Sequence, residues 1–132
     1  MLFRSRVLLL PEDPDASATR LREALRARTG IDVGVVINDS WGRAWRMGTT
    51  GTAIGVAGIP AFLDLRGRTD LFGRTLRSSE LGVADELAAA ASLMMGQAGE
   101  GRPAVLVRGF PYPRSEGRAA DLVRPKAMDL FR

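Results

Sequence analysis

The feature that most constrains the fold is the nearly continuous apolar run Val33-Gly-Val-Val-Ile-Asn38, which Asp39-Ser40 follows at once. Five apolar positions in a row are too few to span a bilayer. Such a run is typical of an interior β-strand covered on both faces. At 132 residues, the chain has the length of one domain with one modest core. We therefore predict a single domain, residues 1–132, with this strand near its centre.

Two helices are predicted beside this strand. Asp13-Pro14-Asp15 combines a capping residue, a proline suited to the first helical position and an acid facing the helix dipole, and this helix should run to about Thr29 and stop at Gly30. Its arginines are interpreted as a solvated face. A second helix, capped by Ser78 or Ser79, should end at Met95 and pack closely through the alanines at 88–91.

The remaining segments are short. Further strands are predicted over Arg6–Leu10, Ala53–Ala57 and Ala104–Arg108, a loop over Ala61–Arg77, and an irregular tail because of Pro111, Pro113 and Pro125. Strands and helices mix without a strict βαβ rhythm. The prediction is an α+β fold, with a mixed sheet and packed helices.

Two residue types are missing altogether, since the sequence has no cysteine and no histidine. Thiol catalysis, disulfides, zinc sites built on thiolate or imidazole, and histidine general bases are therefore excluded. A metal ion here needs oxygen ligands, which suits magnesium or manganese.

Charge and hydropathy limit the classes of partner that the chain is expected to have. The chain carries 19 basic and 15 acidic residues. The arginines alternate with acids and aromatic residues are few, so a nucleic-acid surface is not expected. No apolar run resembles a membrane span or a signal peptide, which predicts a cytoplasmic protein that does not insert into membranes.

Asp39-Ser40 is the first candidate site. An acid and a hydroxyl at the carboxyl end of a buried strand are well placed to hold a divalent ion, as in folds that hydrolyse nucleoside triphosphates. The alternative is that Asp39 caps a turn and Ser40 bonds only to backbone.

The stretch Trp41-Gly-Arg-Ala-Trp-Arg46 is the second candidate. Arg43 and Arg46 offer forked donors for an anion, and the two tryptophans offer stacking faces for a planar group. The alternative is a loop whose tryptophans fill the core.

The third candidate is the glycine-rich stretch Met95-Gly96-Gln97-Ala98-Gly99-Glu100-Gly101-Arg102. It is not a P-loop, because the Lys-Ser/Thr ending is absent and the stretch follows a helix instead of opening one. A helix C-terminus attracts cations, so Gln97 suits a metal ion better than a bare phosphate. The alternative is a helix cap with a flexible loop. Among the other acids, Asp70 is read as a turn residue, and Asp85 and Glu86 as a solvated edge.

Taken together, several stretches resemble the coenzyme F-420:L-glutamate ligase family (F-420-0:gamma-glutamyl ligase). They are Val7-Leu-Leu-Leu-Pro-Glu-Asp-Pro-Asp-Ala-Ser17, Gly34-Val-Val-Ile-Asn-Asp-Ser-Trp-Gly-Arg43, Ala53-Ile-Gly-Val-Ala-Gly58, Asp64-Leu-Arg-Gly-Arg-Thr-Asp-Leu-Phe-Gly-Arg74, Ala84-Asp-Glu-Leu-Ala-Ala-Ala-Ala-Ser-Leu-Met-Met-Gly96 and Val107-Arg-Gly-Phe110.

The resemblance implies a ligase that joins L-glutamate to coenzyme F-420-0 with GTP, through an acyl phosphate, at a site with two Mg²⁺ or Mn²⁺ ions. It implies that Asp39 is a ligand of one metal, that Ser40 and Gln97 are ligands of the second, and that the stretch from Met95 to Arg102 binds the nucleotide. Arg43 and Arg46 are candidate substrate contacts.

The resemblance also implies that this chain corresponds only to the C-terminal half of a ligase. Family members are about twice as long, and Ala44 stands where a proline is common. We expect a homodimer, or pairing with the missing N-terminal half, which should supply another acid and further GTP contacts. Two alternatives stay open: a catalytically incomplete half that binds nucleotide or metal or serves assembly, and an unrelated basic binding protein.

Overall fold

The structure is a computed structural model that describes residues 9–129. Its helices and longer strands are α1 (Pro14–Thr29), β1 (Val35–Arg43), β2 (Arg46–Ala57) and α2 (Val83–Met95), and a short strand pair, β3 (Leu63–Asp64) and β4 (Glu80–Leu81), lies between β2 and α2. The α+β class is confirmed. Of the predicted strand Arg6–Leu10, residues 6–8 lie outside the described residues, and Leu9 and Leu10 are exposed and not in a strand.

Helix α1 has the predicted bounds. The Asp13 carboxylate accepts a hydrogen bond from the Ala16 N–H at 2.9 Å, and Pro14 opens the helix. Gly30 ends it in the left-handed conformation, with its N–H donating to the Arg26 carbonyl at 2.8 Å. These signals are all local in sequence, which is why the prediction succeeds.

Strands β1 and β2 form one long antiparallel hairpin, with a two-residue connection at Ala44-Trp45. Most of the glycine-rich stretch from Trp41 to Gly51 is therefore strand, and the alternative of a loop over Trp41–Arg46 is wrong except at the two-residue turn. Threonines at 49, 50 and 52 favour extended backbone and outweigh the loop signal of the glycines. A register shift between Ile37 and Asn38 marks a β-bulge in the hairpin.

The predicted interior position of β1 is not realised within residues 9–129. There β1 pairs with β2 on one side, no strand pairs with its other side, and its residues are half-buried or exposed.

Helix α2 ends at Met95 as predicted but begins later than expected. Its N-cap is Gly82, so the predicted caps Ser78 and Ser79 are wrong. Those serines lie just before β4, and the Ser79 carbonyl accepts from the Leu65 N–H at 3.0 Å. The short strand pair thus takes up the residues that would have opened the helix.

The core lies between the hairpin, α2 and the segment after β2. Its buried members are small or β-branched: Ala53, Val56, Ile59, Ala61, Ala84 and Ala88. Helix α2 packs closely on the hairpin at Gly51, where an added Cβ would lie 2.5 Å from the Ala88 carbonyl oxygen and 2.8 Å from the Ser92 Cβ. Only glycine allows α2 to approach the hairpin this closely.

Two carboxylates cover the outer edge of β2. The Asp85 Oδ1 accepts from the Ala53 N–H at 2.9 Å, and the Asp15 Oδ1 accepts from the Val56 N–H at 2.8 Å. The same Asp15 oxygen accepts from the Ala119 N–H at 3.0 Å. The interpretation of Asp85 as part of a solvated edge is therefore wrong, because its carboxylate binds backbone of the core strand.

The C-terminal segment lacks the predicted strand Ala104–Arg108, since those residues make no sheet pairing within the described part. The irregular tail is confirmed, with two 3₁₀ turns at Ala119–Leu122 and Lys126–Met128. The tail is held against the core by the Gly117 N–H, which donates to the Ile59 carbonyl at 3.0 Å.

Ion pairs also hold the tail to α1. Arg22 forms a double hydrogen bond with Asp32, at 2.9 and 3.1 Å, and binds Glu116 at 2.8 Å, while Arg114 binds the same Asp32 carboxylate. The hydrogen bond to Arg22 lowers the pKa of the Asp32 carboxyl. Arg22 is thus not the solvated residue that the helical pattern suggests.

Candidate functional site

The hairpin carries the first candidate residues in the middle of a strand. Asp39 lies opposite Thr52 and Ser40 opposite Gly51, and β1 continues to Arg43. The prediction that Asp39 and Ser40 stand at the carboxyl end of the strand is therefore wrong. Both residues are paired with β2 within the hairpin and do not lie in a loop at the end of the strand.

Alternation along β1 separates Asp39 from Ser40. Asn38 faces α2, because its Nδ2 donates to the Ala88 carbonyl at 3.2 Å and lies 3.6 Å from the Met95 Sδ. Ser40, two residues on and opposite Gly51, shares that face. Asp39 points to the other face. The Ser40 N–H donates to the Asp39 Oδ1 at 2.8 Å.

Gln97 lies at the corner where α2 meets the hairpin. Its Nε2 donates to the Ser92 Oγ at 3.3 Å. A cleft of about 250 Å³ opens there, lined by Thr49, Thr50, Gly51, Ala89, Ser92, Leu93, Gly96 and Gln97. Ser40 and Gln97 thus belong to the same side of the hairpin, the side of α2, whereas Asp39 belongs to the opposite one.

The stretch from Met95 to Arg102 turns sharply at Gly96, whose φ of 77° and ψ of 179° are almost confined to glycine. The Glu100 carboxylate folds back into the turn and accepts from the Ala98 N–H at 2.8 Å. Hydrogen bonds from the N–H groups of Ala98 and of Glu100 itself lower the pKa of the Glu100 carboxyl. The backbone of this loop therefore already holds one anionic group.

Arg102 caps the end of α2. Its Nη1 donates to the Met94 carbonyl at 3.2 Å, so a cation already stands at the negative end of the helix dipole. The sequence argument anticipated a cation here but assigned it to a metal ion beside Gln97.

The tip of the hairpin carries the arginines and tryptophans. Arg43 Nη2 donates to the Met47 carbonyl at 3.2 Å and braces the turn, and Arg46 is exposed. Trp41 is 52% exposed and Trp45 is 92% exposed, with a φ of 58° at the turn. The alternative that these tryptophans fill the core is wrong. Both tryptophans stand on the surface of the hairpin.

Asp70 makes the turn that the sequence suggests. Its carboxylate accepts from the Phe72 and Arg74 N–H groups, each at 2.8 Å. Asp64 binds Arg66 at 2.6 Å, and this contact lowers the pKa of the Asp64 carboxyl to about 2. Both acids thus have structural partners.

Sequence reasoning missed the roles of Asp15 and Asp85, which bind backbone of β2. The sequence placed Asp15 in the first turn of one helix and Asp85 inside another, and neither position says anything of a strand 41 or 32 residues away.

The candidate ligands supply only part of what a metal site needs. Ser40 and Gln97 supply two neutral oxygens toward α2, and Asp39 supplies one carboxylate on the other face. Between residues 9 and 129, no three His, Cys, Asp or Glu side chains come close enough together to bind a metal ion. Oxygen donors of this kind suit magnesium or manganese, but a full shell needs ligands beyond these residues. Neither helix of the described part is long and apolar enough to cross a membrane.

Comparison with known proteins gives consistent matches. A sequence profile described as F420-0:Gamma-glutamyl ligase matches residues 3–109. Relatives from Methanococcus maripaludis, Methanocaldococcus jannaschii and Methanopyrus kandleri, each named coenzyme F420:L-glutamate ligase, are 50%, 48% and 48% identical to the chain. The matched stretches cover 93%, 96% and 96% of this chain, and 50%, 51% and 52% of the relatives. The chain thus spans about half the length of the curated relatives it matches.

Proposed function

The chain belongs to the F420-0:gamma-glutamyl ligase family, and from this premise we propose that it forms half of an enzyme that joins L-glutamate to coenzyme F-420-0. The reaction would use GTP and form an amide bond through an acyl phosphate. The observation that carries the proposal is the identity of about 50% along 93% of the chain, which includes the hairpin and the loop after α2.

The loop from Met95 to Arg102 is the part we assign to GTP. Its backbone N–H groups at Ala98 and Glu100 bind a carboxylate, which supports the view that they can bind a phosphate oxygen in its place. Phosphate binding would displace the Glu100 side chain. Arg102, which neutralises the end of α2, would lie beside the bound nucleotide.

The metal assignment follows the two faces of β1. Asp39 would bind one Mg²⁺ or Mn²⁺ ion, and Ser40 with Gln97 the second. Bound metal would neutralise phosphate charge and align it for transfer. The remaining ligands would come from GTP, water and an acid of the other half of the ligase.

The substrate contacts are assigned to the exposed tip of the hairpin. Arg43 and Arg46 carry charge that suits the carboxylates of F-420-0 and glutamate. Because Arg43 already braces the turn through the Met47 carbonyl, its substitution would change both the turn and the charge.

Titration calorimetry tests this assignment. GTP is titrated into the purified chain with and without Mn²⁺, and Asp39→Ala is compared with Glu23→Ala, an exposed acid on α1. We expect binding that needs metal and is weakened at least tenfold by Asp39→Ala only. Equal binding by both variants would refute the role of Asp39.

A second candidate function follows from the fact that the chain spans about half the length of its relatives. It would be an assembly or nucleotide-binding half without activity of its own. Metal-dependent GTP binding by the chain without product would favour it. GTP-dependent formation of the glutamyl product by the 132-residue chain alone would exclude it, whereas product formed only when the other half is added would support the divided enzyme.

A further inference from the structure

The hydrogen bonds of the hairpin show which backbone groups of β1 point outward. The N–H groups of Ala53 and Val56 bind the carboxylates of Asp85 and Asp15, so they point away from β1. In an antiparallel ladder, residues opposite such positions also turn their N–H and C=O groups outward. Their partners are Asn38 and Val36. Ser40 and Gly42 continue the same alternation.

The two outer edges of the hairpin are therefore unlike. The edge of β2 is covered at Ala53 and Val56 by carboxylates from both helices. On the edge of β1, the Ser40 N–H binds the neighbouring Asp39 side chain, and within residues 9–129 the outward N–H groups of Val36, Asn38 and Gly42 have no hydrogen-bond partner. A nine-residue strand with an uncovered edge is a template for pairing with another strand.

A second stretch also lacks a pairing strand in the described part of the chain. Ala104–Arg108 was predicted as a strand from its apolar residues, yet it pairs with nothing in the described part of the chain. Leu106 is 65% exposed and Val107 is 46% exposed. Apolar strand-forming residues at such exposure are typical of a surface that another part of the protein covers.

The length of the relatives indicates which polypeptide would pair with the outer edge of β1. The matched stretches cover 93% and 96% of this chain but only 50% and 51% of the relatives, so the relatives carry about as many residues again. We propose that the outer edge of β1, from Val36 to Gly42, pairs with a strand of the half of the ligase that this sequence does not contain. The inference deepens the proposed function, since it rests on family membership and on a ligase made of two halves.

Sheet extension fits this surface better than a contact of side chains alone. Main-chain hydrogen bonds would give affinity, and the alternating side chains of β1 would fix the register. The edge of β2 is covered at Ala53 and Val56, so along this part of the hairpin another strand can be added at the edge of β1 and not at the edge of β2. The added strand would run past Asp39 and Ser40 and bring residues of the other half beside the proposed metal ligands.

The test uses amide exchange measured residue by residue. The ¹⁵N-labelled 132-residue chain is examined alone and after co-expression with a tagged polypeptide that comprises the unmatched half of the Methanopyrus kandleri relative. Alone, the amides of Val36, Asn38 and Gly42 should exchange at least tenfold faster than those of Ile37 and Asp39. In the complex, the three outward amides should slow at least tenfold.

Gly42 offers a matched pair of variants. Nothing lies within 4 Å of a Cβ built at Gly42, so a side chain has room there. Gly42→Pro removes one outward donor and should weaken the complex about three- to tenfold, the effect of one net hydrogen bond. Gly42→Ala keeps the donor and should bind like the parent chain.

Several results would overturn the proposal. They are failure of the tagged half to retain the chain, a complex without slower exchange at Val36, Asn38 and Gly42, and protection of those amides in the chain alone, whether as monomer or dimer. The measurement contains no GTP, glutamate or metal. A complex that forms as proposed but makes no product would refute the proposed function alone, and catalysis without protection of β1 would refute this inference alone.

Discussion

Among side chains of its size, Asp15 is the one whose loss should lower the free energy of unfolding the most. One of its oxygens accepts from the N–H groups of Val56 and Ala119, at 2.8 and 3.0 Å, and the carboxylate also lies in the first turn of α1. Asp15→Ala would leave both donors without this partner. Val56 is 2% exposed, so water cannot readily replace the carboxylate there, whereas Ala119 is half-buried and can be partly rehydrated.

The magnitude follows from those two environments. An unsatisfied buried donor costs about 1–3 kcal/mol, and we place Val56 near the upper end and Ala119 near the lower. Loss of an acid at the helix N-terminus adds about 0.3–1 kcal/mol. We expect Asp15→Ala to lower the free energy of unfolding by about 3–5 kcal/mol. Asp15→Asn keeps an acceptor oxygen but loses the charge, and should cost about 1–2 kcal/mol.

Urea unfolding followed by circular dichroism measures this difference. Asp13→Ala is the control for the loss of a helix cap, about 1 kcal/mol, and Glu12→Ala is the control for the loss of an exposed acid. A loss of less than about 1 kcal/mol in Asp15→Ala, or a loss no larger than that of Asp13→Ala, would refute the view that this carboxylate joins the hairpin to the tail.

Three further predictions concern Gly51, Gly96 and Asp32. Gly51→Ala should lower the free energy of unfolding by about 1–3 kcal/mol, because the new Cβ would overlap the Ala88 carbonyl, while Gly42→Ala should change it by less than about 0.5 kcal/mol; equal effects would contradict the close packing of α2. Gly96→Ala should weaken GTP binding measured by calorimetry, because its backbone conformation costs other residues about 1–3 kcal/mol; unchanged binding would count against the role of the loop. The lowered pKa of Asp32 means that its ion pair stabilises the fold above about pH 4, the ordinary aspartate range, and ceases to do so as pH falls through the folded-state pKa. Asp32→Asn should therefore lower stability at pH 7 and flatten the loss of stability between pH 4 and 2, and an unchanged acid profile would exclude this pair as a contributor.

The sequence predicted α1 to the residue because Asp13, Pro14 and Gly30 act on their immediate neighbours. It failed for the hairpin, where polar and glycine-rich residues form strand because they pair across the ladder with Thr49, Thr50 and Thr52. Pairing is a property of two segments at once, and one segment does not display it.

The candidate site divides in the same way. Its residue types were visible in the sequence, and Gln97 does lie at the end of α2 as the helix pattern indicated. The separation of Asp39 from Ser40 onto opposite faces follows only from the fact that both residues lie within strand β1, and the hydrogen bond from the Ala98 N–H to the Glu100 carboxylate depends on a turn at Gly96. Neither follows from spacing alone. The metal and nucleotide roles themselves stay predictions.

The sequence separations of the ion pairs around Asp32 predict an order of folding. Arg22 and Asp32 are only 10 residues apart, so they can meet as soon as α1 has formed. Glu116 lies 94 residues from Arg22, and Arg114 lies 82 residues from Asp32. Contacts so distant in sequence form late, because a long loop must close first. During synthesis, α1 and the hairpin can therefore fold around a charge pair that is already in place, and the tail is the last segment to arrive.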